Sequence, residues 1–158
     1  MTDSITFEVC GRPQGKERAR TVRNTYTGKI HSYTPKKTSA YEEMIRLSYK
    51  SNNGRLFDGP VEVEIIAYMP IPLSFNKKQK ADAVNLEMFP QVKPDNDNIE
   101  KIVFDALSGT AYHDDTQIVV NKTEKRFSDN SRLVVTISEH NTKWYKKNGK
   151  YNRIKKKD

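Results

Sequence analysis

Cysteine is nearly absent from this chain, with only Cys10 among 158 residues. One cysteine excludes an internal disulfide framework and a cysteine-rich zinc site. We expect Cys10 to be a buried strand residue in a reduced setting. The sequence also lacks a membrane-spanning run of about 18 apolar residues and a secretory signal at its start. A cytoplasmic protein without a membrane segment is therefore predicted.

Several catalytic signatures are missing as well. The three histidines, His31, His113 and His140, lack metal-ligand spacing, so a zinc site is not predicted and each is expected at the surface. His113 is the exception, because it adjoins Asp114 and can therefore lie near a site formed by that residue. Neither a Walker-type phosphate loop nor a Gly-x-Ser-x-Gly elbow occurs. These absences argue against a P-loop nucleotide hydrolase and a serine hydrolase of the elbow type.

Positive charge is abundant and segregated. The net charge is +8, and residues 11–37 and 143–158 each carry eight Lys or Arg against one acid. The rest of the chain sums to −6, so an acidic middle lies between two basic arms. Clustered Lys and Arg are typical of phosphate binding, which predicts a polyanion partner, with nucleic acid the first candidate.

The pattern of apolar residues predicts one α+β domain with the order β-α-β-α-β-β, a mixed sheet and two main helices. We assign residues 1–140 to this domain and residues 141–158 to a basic, flexible tail. Strands are predicted around Ile5 and Val9 and from Val61 to Ala67, and a short hairpin joins residues 20–24 to 29–32. Residues 118–127 and 133–138 are expected to form a β-hairpin.

Two main helices are predicted, each with one apolar face. The first follows Thr34 and Pro35, a cap and a first-turn proline, and ends near residues 52–54. Its apolar stripe consists of Tyr41, Met44, Ile45, and Ser48 or Tyr49. The second starts between residues 96 and 98 and ends at Leu107 before Ser108 and Gly109. A shorter helix is expected within residues 77–86.

Five aspartates lie within the 23 residues from 93 to 115: Asp95, Asp97, Asp105, Asp114 and Asp115. Carboxylates this close repel one another unless a positive charge lies between them. Two acids separated by one residue, with another from a later loop, suit a magnesium ion, which binds few carboxylates and keeps several waters. Helical spacing turns Asp97, Lys101 and Asp105 away from the apolar stripe.

Ordinary helix chemistry offers an alternative. Asn96 or Asp97 can cap the helix, with Glu100 completing a capping box. Lys101 can pair with Asp97 or Asp105, four residues away on either side. Caps account for one aspartate, whereas Asp95 with Asp97, and the later acidic pair, are left unexplained. Spacing alone leaves metal binding and capping equally open.

The chemistry that suits these residues is phosphodiester hydrolysis. A cation polarises a phosphoryl oxygen and makes a bound water more acidic, and a lysine such as Lys101 stabilises the added negative charge.

Three segments give the chain a specific resemblance. They are KPDNDNIEK (residues 93–101), FDALSG (104–109) and YHDDTQI (112–118), supported by PQGKERAR (13–20), YTPKK (33–37) and PLSF (72–75). Together these segments resemble the RusA family of Holliday-junction resolvases of bacteria and their prophages, over about residues 5–138. The family usually has a large hydrophobic residue at the position of Asn96.

The resemblance implies a magnesium-dependent endonuclease, with Mn²⁺ as a substitute, that acts as a homodimer on branched DNA. It resolves four-way junctions by paired symmetric nicks in recombination and repair. The resemblance assigns metal binding to Asp95, Asp97 and Asp115, and an essential catalytic role to Lys101. Asp105 and Asp114 are supporting residues.

The expected DNA contacts come from the basic segments: Lys16, Arg18, Arg20, Lys36, Lys37, Lys77 and Lys78. A dimer would match the two-fold symmetry of a junction. Phe104 is a candidate contact with another subunit or with its own core. The alternatives are a non-catalytic basic DNA-binding module, and a metal-dependent nuclease acting on another branched DNA or RNA.

Overall fold

The computed structural model describes residues 3–144, and these form two sheets and three helices. The strands are β1 (Ser4–Cys10), β2 (Arg20–Arg23), β3 (Ile30–Tyr33), β4 (Val61–Pro70), β5 (Ile118–Ser128) and β6 (Arg132–Glu139). The helices are α1 (Lys36–Ser51), α2 (Lys77–Val84) and α3 (Asn96–Leu107), with a single 3-10 turn at Asp115–Gln117. The predicted α+β class is confirmed. Most of the predicted tail lies outside the described residues.

The main sheet is mixed and four-stranded, in the order β1-β6-β4-β5. Strand β6 is antiparallel to both β1 and β4, whereas β5 runs parallel to β4. Alternate residues of β1, β4 and β6 are buried, as the period of two in their sequences predicts. One apolar face of the sheet therefore forms the floor of the core.

The predicted β5–β6 hairpin is wrong. The two strands are consecutive in sequence, but β4 lies between them, with Tyr68 opposite both Arg126 and Arg132. Strand β4 buries five alternate residues, and its shielded backbone N–H and C=O groups are paired with β5 on one edge and β6 on the other. The short connection at residues 129–131 passes over the end of β4. A period of two identifies a strand and its buried face, and it does not identify the neighbouring strand.

Helices α1 and α3 cover the apolar face of the sheet. Buried side chains of α1 are Thr38, Tyr41, Ile45 and Tyr49, and those of α3 are Ile99, Ile102, Val103, Ala106 and Leu107. All of these except Thr38 belong to one hydrophobic cluster with the sheet. The stripe predicted for α3 is confirmed. In α1 the stripe continues through Tyr49 rather than Ser48, and Met44 is exposed, contrary to prediction.

Two smaller expectations need correction. Cys10 lies in β1 as predicted, but it is exposed because alternation from Val9 turns it away from the core. Pro35 occupies the N-cap position of α1, and no side chain caps that helix. Phe104 is partly buried against the hydrophobic core of its own chain. Its packing is thereby explained without a second subunit.

The predicted hairpin of β2 and β3 is confirmed, with Val22 opposite His31. All eight strand residues are exposed. The turn is stabilised by the Asn24 side chain, whose Oδ1 accepts hydrogen bonds from the amides of Tyr26 and Thr27 at 2.9 and 3.1 Å. Gly28 has a φ of +67°, which a residue without a side chain adopts at no steric cost.

Within residues 3–144, no helix combines the length and apolar character needed to cross a membrane.

Candidate active site

Asp95, Asp97 and Lys101 lie at the beginning of α3. Asp95 occupies the N-cap position, yet its side chain makes no capping hydrogen bond, and the carboxylate has no hydrogen bond or ion pair within residues 3–144. Asp97 pairs with Lys101 across one helical turn, with 3.9 Å between Oδ2 and Nζ. Both side chains are more than three-fifths exposed. Asp95 and Asp97 therefore offer carboxylate oxygens that no strong internal contact uses.

The capping alternative fails in the structure. Glu100 does not reach back to the start of the helix, because its Oε1 accepts hydrogen bonds from Asn121 Nδ2 at 2.9 Å and Thr123 Oγ1 at 2.8 Å. Asn96 points the same way, with Nδ2 at 3.4 Å from the carbonyl oxygen of Thr123. Both side chains therefore fasten α3 to strand β5. The acids at the helix start are thus not explained by capping.

A cleft of about 490 Å³ opens above this part of α3. Its walls come from α3 and from the loop between β1 and β2, and the lining residues are Lys16, Glu17, Arg18, Ala19, Asp95, Asp97, Asn98, Lys101 and Asp105. The structure therefore brings together four of the predicted site residues on α3 with Lys16 and Arg18. A neighbouring depression of about 330 Å³ adds Lys37 and Lys93.

The β1–β2 loop lies very close to α3. The amide of Lys16 donates to the carbonyl oxygen of Asn98 at 2.9 Å. A Cβ atom placed on Gly15 would lie 2.8 Å from Cβ of Pro94 and 3.0 Å from Cβ of Asn98. Only a glycine allows this approach without displacing a neighbour. The PQGKERAR segment is therefore a structural wall of the cleft as well as a basic arm.

Lys16 is the residue whose role the sequence did not reveal. Its Nζ bonds Glu42 and lies 3.2 Å from Oδ2 of Asp105, and only 23% of its side chain is exposed. Burial by itself lowers the pKa of Lys16, but the hydrogen bonds and charges of Glu42 and Asp105 outweigh it and raise the pKa. The ammonium is thus committed to partners in its own chain. Glu42 comes from α1, so sequence spacing gave no signal for this group.

Asp114 and Asp115 lie beyond the other end of α3. Tyr112 is fully buried and donates from its hydroxyl to the carbonyl oxygen of Phe104 at 2.7 Å, which fixes the loop before them. Asp114 accepts from Thr116 Oγ1 at 2.8 Å, which suits a supporting role. Desolvation raises the pKa of Asp115, and the neighbouring charges of Asp114 and Asp105 raise it further. Burial raises the pKa of Tyr112, and the nearby charges of Asp115, Asp105 and Asp114 raise it further.

Two of the three predicted metal ligands, Asp95 and Asp97, are placed where they can bind one divalent cation. Asp95 and Asp97 share the cleft and supply the oxygen ligands that hard cations prefer. Asp115 is close enough to Asp105 to feel its charge, but it is not among the residues that line the cleft. In the described part of the chain, no three Asp, Glu, His or Cys side chains are grouped closely enough to hold one ion. The three-aspartate ligand set therefore stays a prediction.

The other basic residues predicted to contact DNA are on the surface. Arg18 lines the cleft, and Arg20, which begins β2, is 67% exposed. Lys36 and Lys37 begin α1, while Lys77 and Lys78 begin α2, and all four are exposed. Lys77 and Lys78 line neither the cleft nor the neighbouring depression. Two of the histidines have carboxylate partners: His113 with Asp58 at 2.9 Å and His140 with Glu62 at 2.6 Å.

Comparison with known proteins identifies the family to which this chain belongs. Residues 11–138 match the family model described as endodeoxyribonuclease RusA. The match covers most of the chain, so the chain belongs to the RusA endodeoxyribonuclease family, a family of nucleases. The chain is also 36% identical over 141 residues to a Bacillus subtilis (strain 168) protein called uncharacterized protein YqaN, covering 87% of this chain and 97% of that protein.

Proposed function

We propose that this protein is a magnesium-dependent, structure-selective endonuclease that resolves four-way DNA junctions by paired symmetric nicks. The observation that carries the proposal is the cleft at the start of α3. There Asp95, Asp97 and Lys101 lie together in a chain of the RusA endodeoxyribonuclease family. Recombination and repair are the processes in which such junctions arise.

Asp95 and Asp97 hold the cation in this proposal, and Asp115 is the third ligand. When bound, Mg²⁺ supplies positive charge to a phosphoryl oxygen and makes a bound water more acidic. Lys101, one turn from Asp97, stabilises the negative charge that develops at phosphorus. Asp105 and Asp114 support the site, Asp105 through Lys16 and Asp114 through the turn before β5. Mn²⁺ has a similar preference for oxygen ligands and is expected to replace Mg²⁺.

In this proposal, basic residues around the cleft bind the DNA backbone. Arg18 lies in the cleft, and Lys37 lines the adjoining depression. Arg20 and Lys36 extend the positive surface, and Lys77 and Lys78 are further phosphate contacts. Contacts of this kind orient the backbone without reading its sequence. A homodimer would place two such clefts in a symmetric relation, as two symmetric nicks require.

The alternative of a non-catalytic DNA-binding module depended on reading the aspartates as caps. The Asp95 carboxylate makes no capping bond, and Glu100 is bonded to β5, so that premise is lost for the acids at the start of α3. Asp114 has a capping role at the 3-10 turn, where it forms a capping box with Gln117. The module would bind DNA and leave it intact under all metal conditions.

Substrate choice separates the proposed function from a nuclease with another target. A four-way junction, a Y-fork, a linear duplex and a branched RNA are each incubated with the protein, Mg²⁺ and excess competitor duplex. The proposal predicts cleavage of the junction well above the others, and none when a chelator removes the metal. Equal cleavage of the fork or the RNA would point to the alternative target, and no cleavage of any substrate would favour the binding module.

A further inference from the structure

Lys16 occupies a point at which two carboxylates from different helices converge. Its Nζ contacts Glu42 of α1 and, at 3.2 Å, Asp105 of α3. Glu42 is the more buried of the two, with 12% of its side chain exposed against 47% for Asp105. Paired carboxylate oxygens are also what a divalent cation selects. The ammonium therefore lies where a second cation would otherwise be attracted.

The position of Lys16 is fixed from several sides. Its amide is bonded to the carbonyl oxygen of Asn98, and Gly15 packs directly on α3. Arg46 flanks Glu42 on the other side, with Nη2 at 3.7 Å from Oε2, and donates from Nε to the carbonyl oxygen of Ala106 at 3.0 Å. The group thus links the loop, α1 and α3. A side chain held this way is poorly placed to leave its partners for a DNA phosphate.

We propose that Lys16 is a positioning residue whose ammonium fills a second cation position, between Glu42 and Asp105, and so confines the divalent cation to the Asp95–Asp97 end of the cleft. This inference rests on the proposed function, because it assigns a distribution of charge within the same site. Asp95, Asp97, Asp105 and Lys16 all line that cleft. Replacing Lys16 by a neutral residue would leave a partly buried carboxylate pair that attracts a second ion.

The direct test counts bound Mn²⁺ ions per chain without DNA, using the electron paramagnetic resonance signal of free Mn²⁺. Lys16→Met should bind one more ion than the wild type, and Lys16→Arg should match the wild type because the cation is kept. Lys16→Met combined with Asp105→Asn should lose the extra ion. An equal count in folded Lys16→Met and wild-type protein would overturn the inference.

Thermal unfolding supplies a second readout in case Lys16→Met is unstable. Mn²⁺ should raise the melting temperature of Lys16→Met more than that of the wild type, since the ion replaces the missing charge. No greater rise in Lys16→Met would overturn the inference. In parallel, Asp97→Asn should lose the wild-type ion. A wild type that binds no ion would overturn the proposed metal site itself, whereas a wild-type ion without a gain in Lys16→Met would overturn only the role of Lys16.

Cleavage kinetics distinguish positioning from phosphate contact. Lys16→Met should lower kcat on a four-way junction by about 10- to 100-fold, the range seen for residues that support metal sites, with little change in the junction Kd or its salt dependence. Lys16→Arg should recover most of kcat. A weaker Kd with a reduced salt slope and an unchanged kcat would identify Lys16 as a phosphate contact and contradict the inference.

Discussion

At the scale of single residues, the side chains that line the cleft differ in how many hydrogen bonds and ion pairs they make within the chain. The Asp95 carboxylate makes no hydrogen bond or ion pair within the described residues, Asp97 has one long contact with Lys101, and Lys16 is held by two carboxylates. The exposed carboxylates of Asp95 and Asp97 are therefore available to a ligand. Lys16, which is paired and partly buried, instead fixes the positions of the groups around them.

Asp97→Asn should reduce Mg²⁺-dependent junction cleavage to background, because an amide removes the charge that holds the cation. Junction binding should survive, since Asp97 is exposed and its loss leaves no buried group unpaired. Rates of strand cleavage and gel-shift affinities measure the two properties. Asp129→Asn, the same change at an exposed turn away from the cleft, is the control and should keep full activity. Full activity in Asp97→Asn would remove the proposed site.

Lys101→Met should lower kcat by about 10²- to 10³-fold, the loss typical of removing one group that stabilises transition-state charge. The junction Kd should change little because one exposed lysine adds little to a large phosphate surface. Single-turnover cleavage at saturating protein isolates the chemical step. Lys50→Met, an exposed lysine near the end of α1, serves as the matched control. A loss confined to Kd would assign Lys101 to binding rather than chemistry.

The sequence predicted part of this residue-level picture. The spacing of four residues predicted that Lys101 faces away from the core and can pair with Asp97 or Asp105, and the structure shows the pair with Asp97. It did not reveal the contacts of Glu100 with Asn121 and Thr123, or of Lys16 with Glu42, because these join segments more than 20 residues apart. The exposure of Cys10 was missed because the general tendency of free cysteine to be buried was weighed above the alternation of the strand, which already turns Cys10 away from the core.

At the scale of elements, the cleft depends on how closely the β1–β2 loop approaches α3. The contact is made by Gly15. Its backbone lies so close to Pro94 and Asn98 that there is no room for a Cβ atom. The loop carries Lys16 and Arg18, and the helix carries the aspartates. Displacing the loop by a few tenths of an ångström therefore changes the distances between cations and carboxylates.

Gly15→Ala should disturb this approach. The added methyl meets Cβ atoms at 2.8 and 3.0 Å, so the free energy of unfolding should fall by about 1–3 kcal/mol. Cleavage should fall by up to about 10²-fold, because small misplacements of reacting groups are costly. Denaturant unfolding and single-turnover cleavage measure the two effects. Gln14→Ala, the preceding residue in the same loop, should have the smaller effect on both; equal effects would show that the close approach is unimportant.

Element boundaries were largely predictable, and strand neighbours were not. Both main helices and the four strands of the main sheet follow from apolar periodicity and from breakers such as Gly54 and Gly109, whereas the exposed hairpin of β2 and β3 was indicated by its turn at Gly28. Strand β4 was expected to lie in the sheet, but nothing local indicates that it separates β5 from β6. That order depends on long-range packing of the central strand, which a short turn at residues 129–131 does not encode.

At the scale of the whole molecule, charge segregation is the dominant feature. The segment between the basic arms supplies α3, three of the four strands of the main sheet and the acidic wall of the cleft, and the first basic arm supplies the other wall. Trp144 packs on Gly59, where an added Cβ would lie 2.6 Å from the indole, so ordered packing continues to that residue. The remaining basic residues follow it in the sequence.

Deleting residues 145–158 removes seven Lys or Arg and keeps Trp144. Junction binding should weaken by about 10-fold or more at moderate salt, and the dependence of log K on log salt should become shallower, since fewer counterions are released. Cleavage at saturating protein should persist. A Gly/Ser tail of equal length is the control for length alone. An unchanged salt slope would contradict a phosphate-binding role for the tail.

The most direct test of the central claim is cleavage of a mobile four-way junction with and without Mg²⁺, with the products of every strand mapped. The account predicts paired nicks at symmetric positions in two opposing strands, present with Mg²⁺ and absent when it is chelated. Nicks at unrelated positions, cleavage that ignores Mg²⁺, or an intact junction would contradict it.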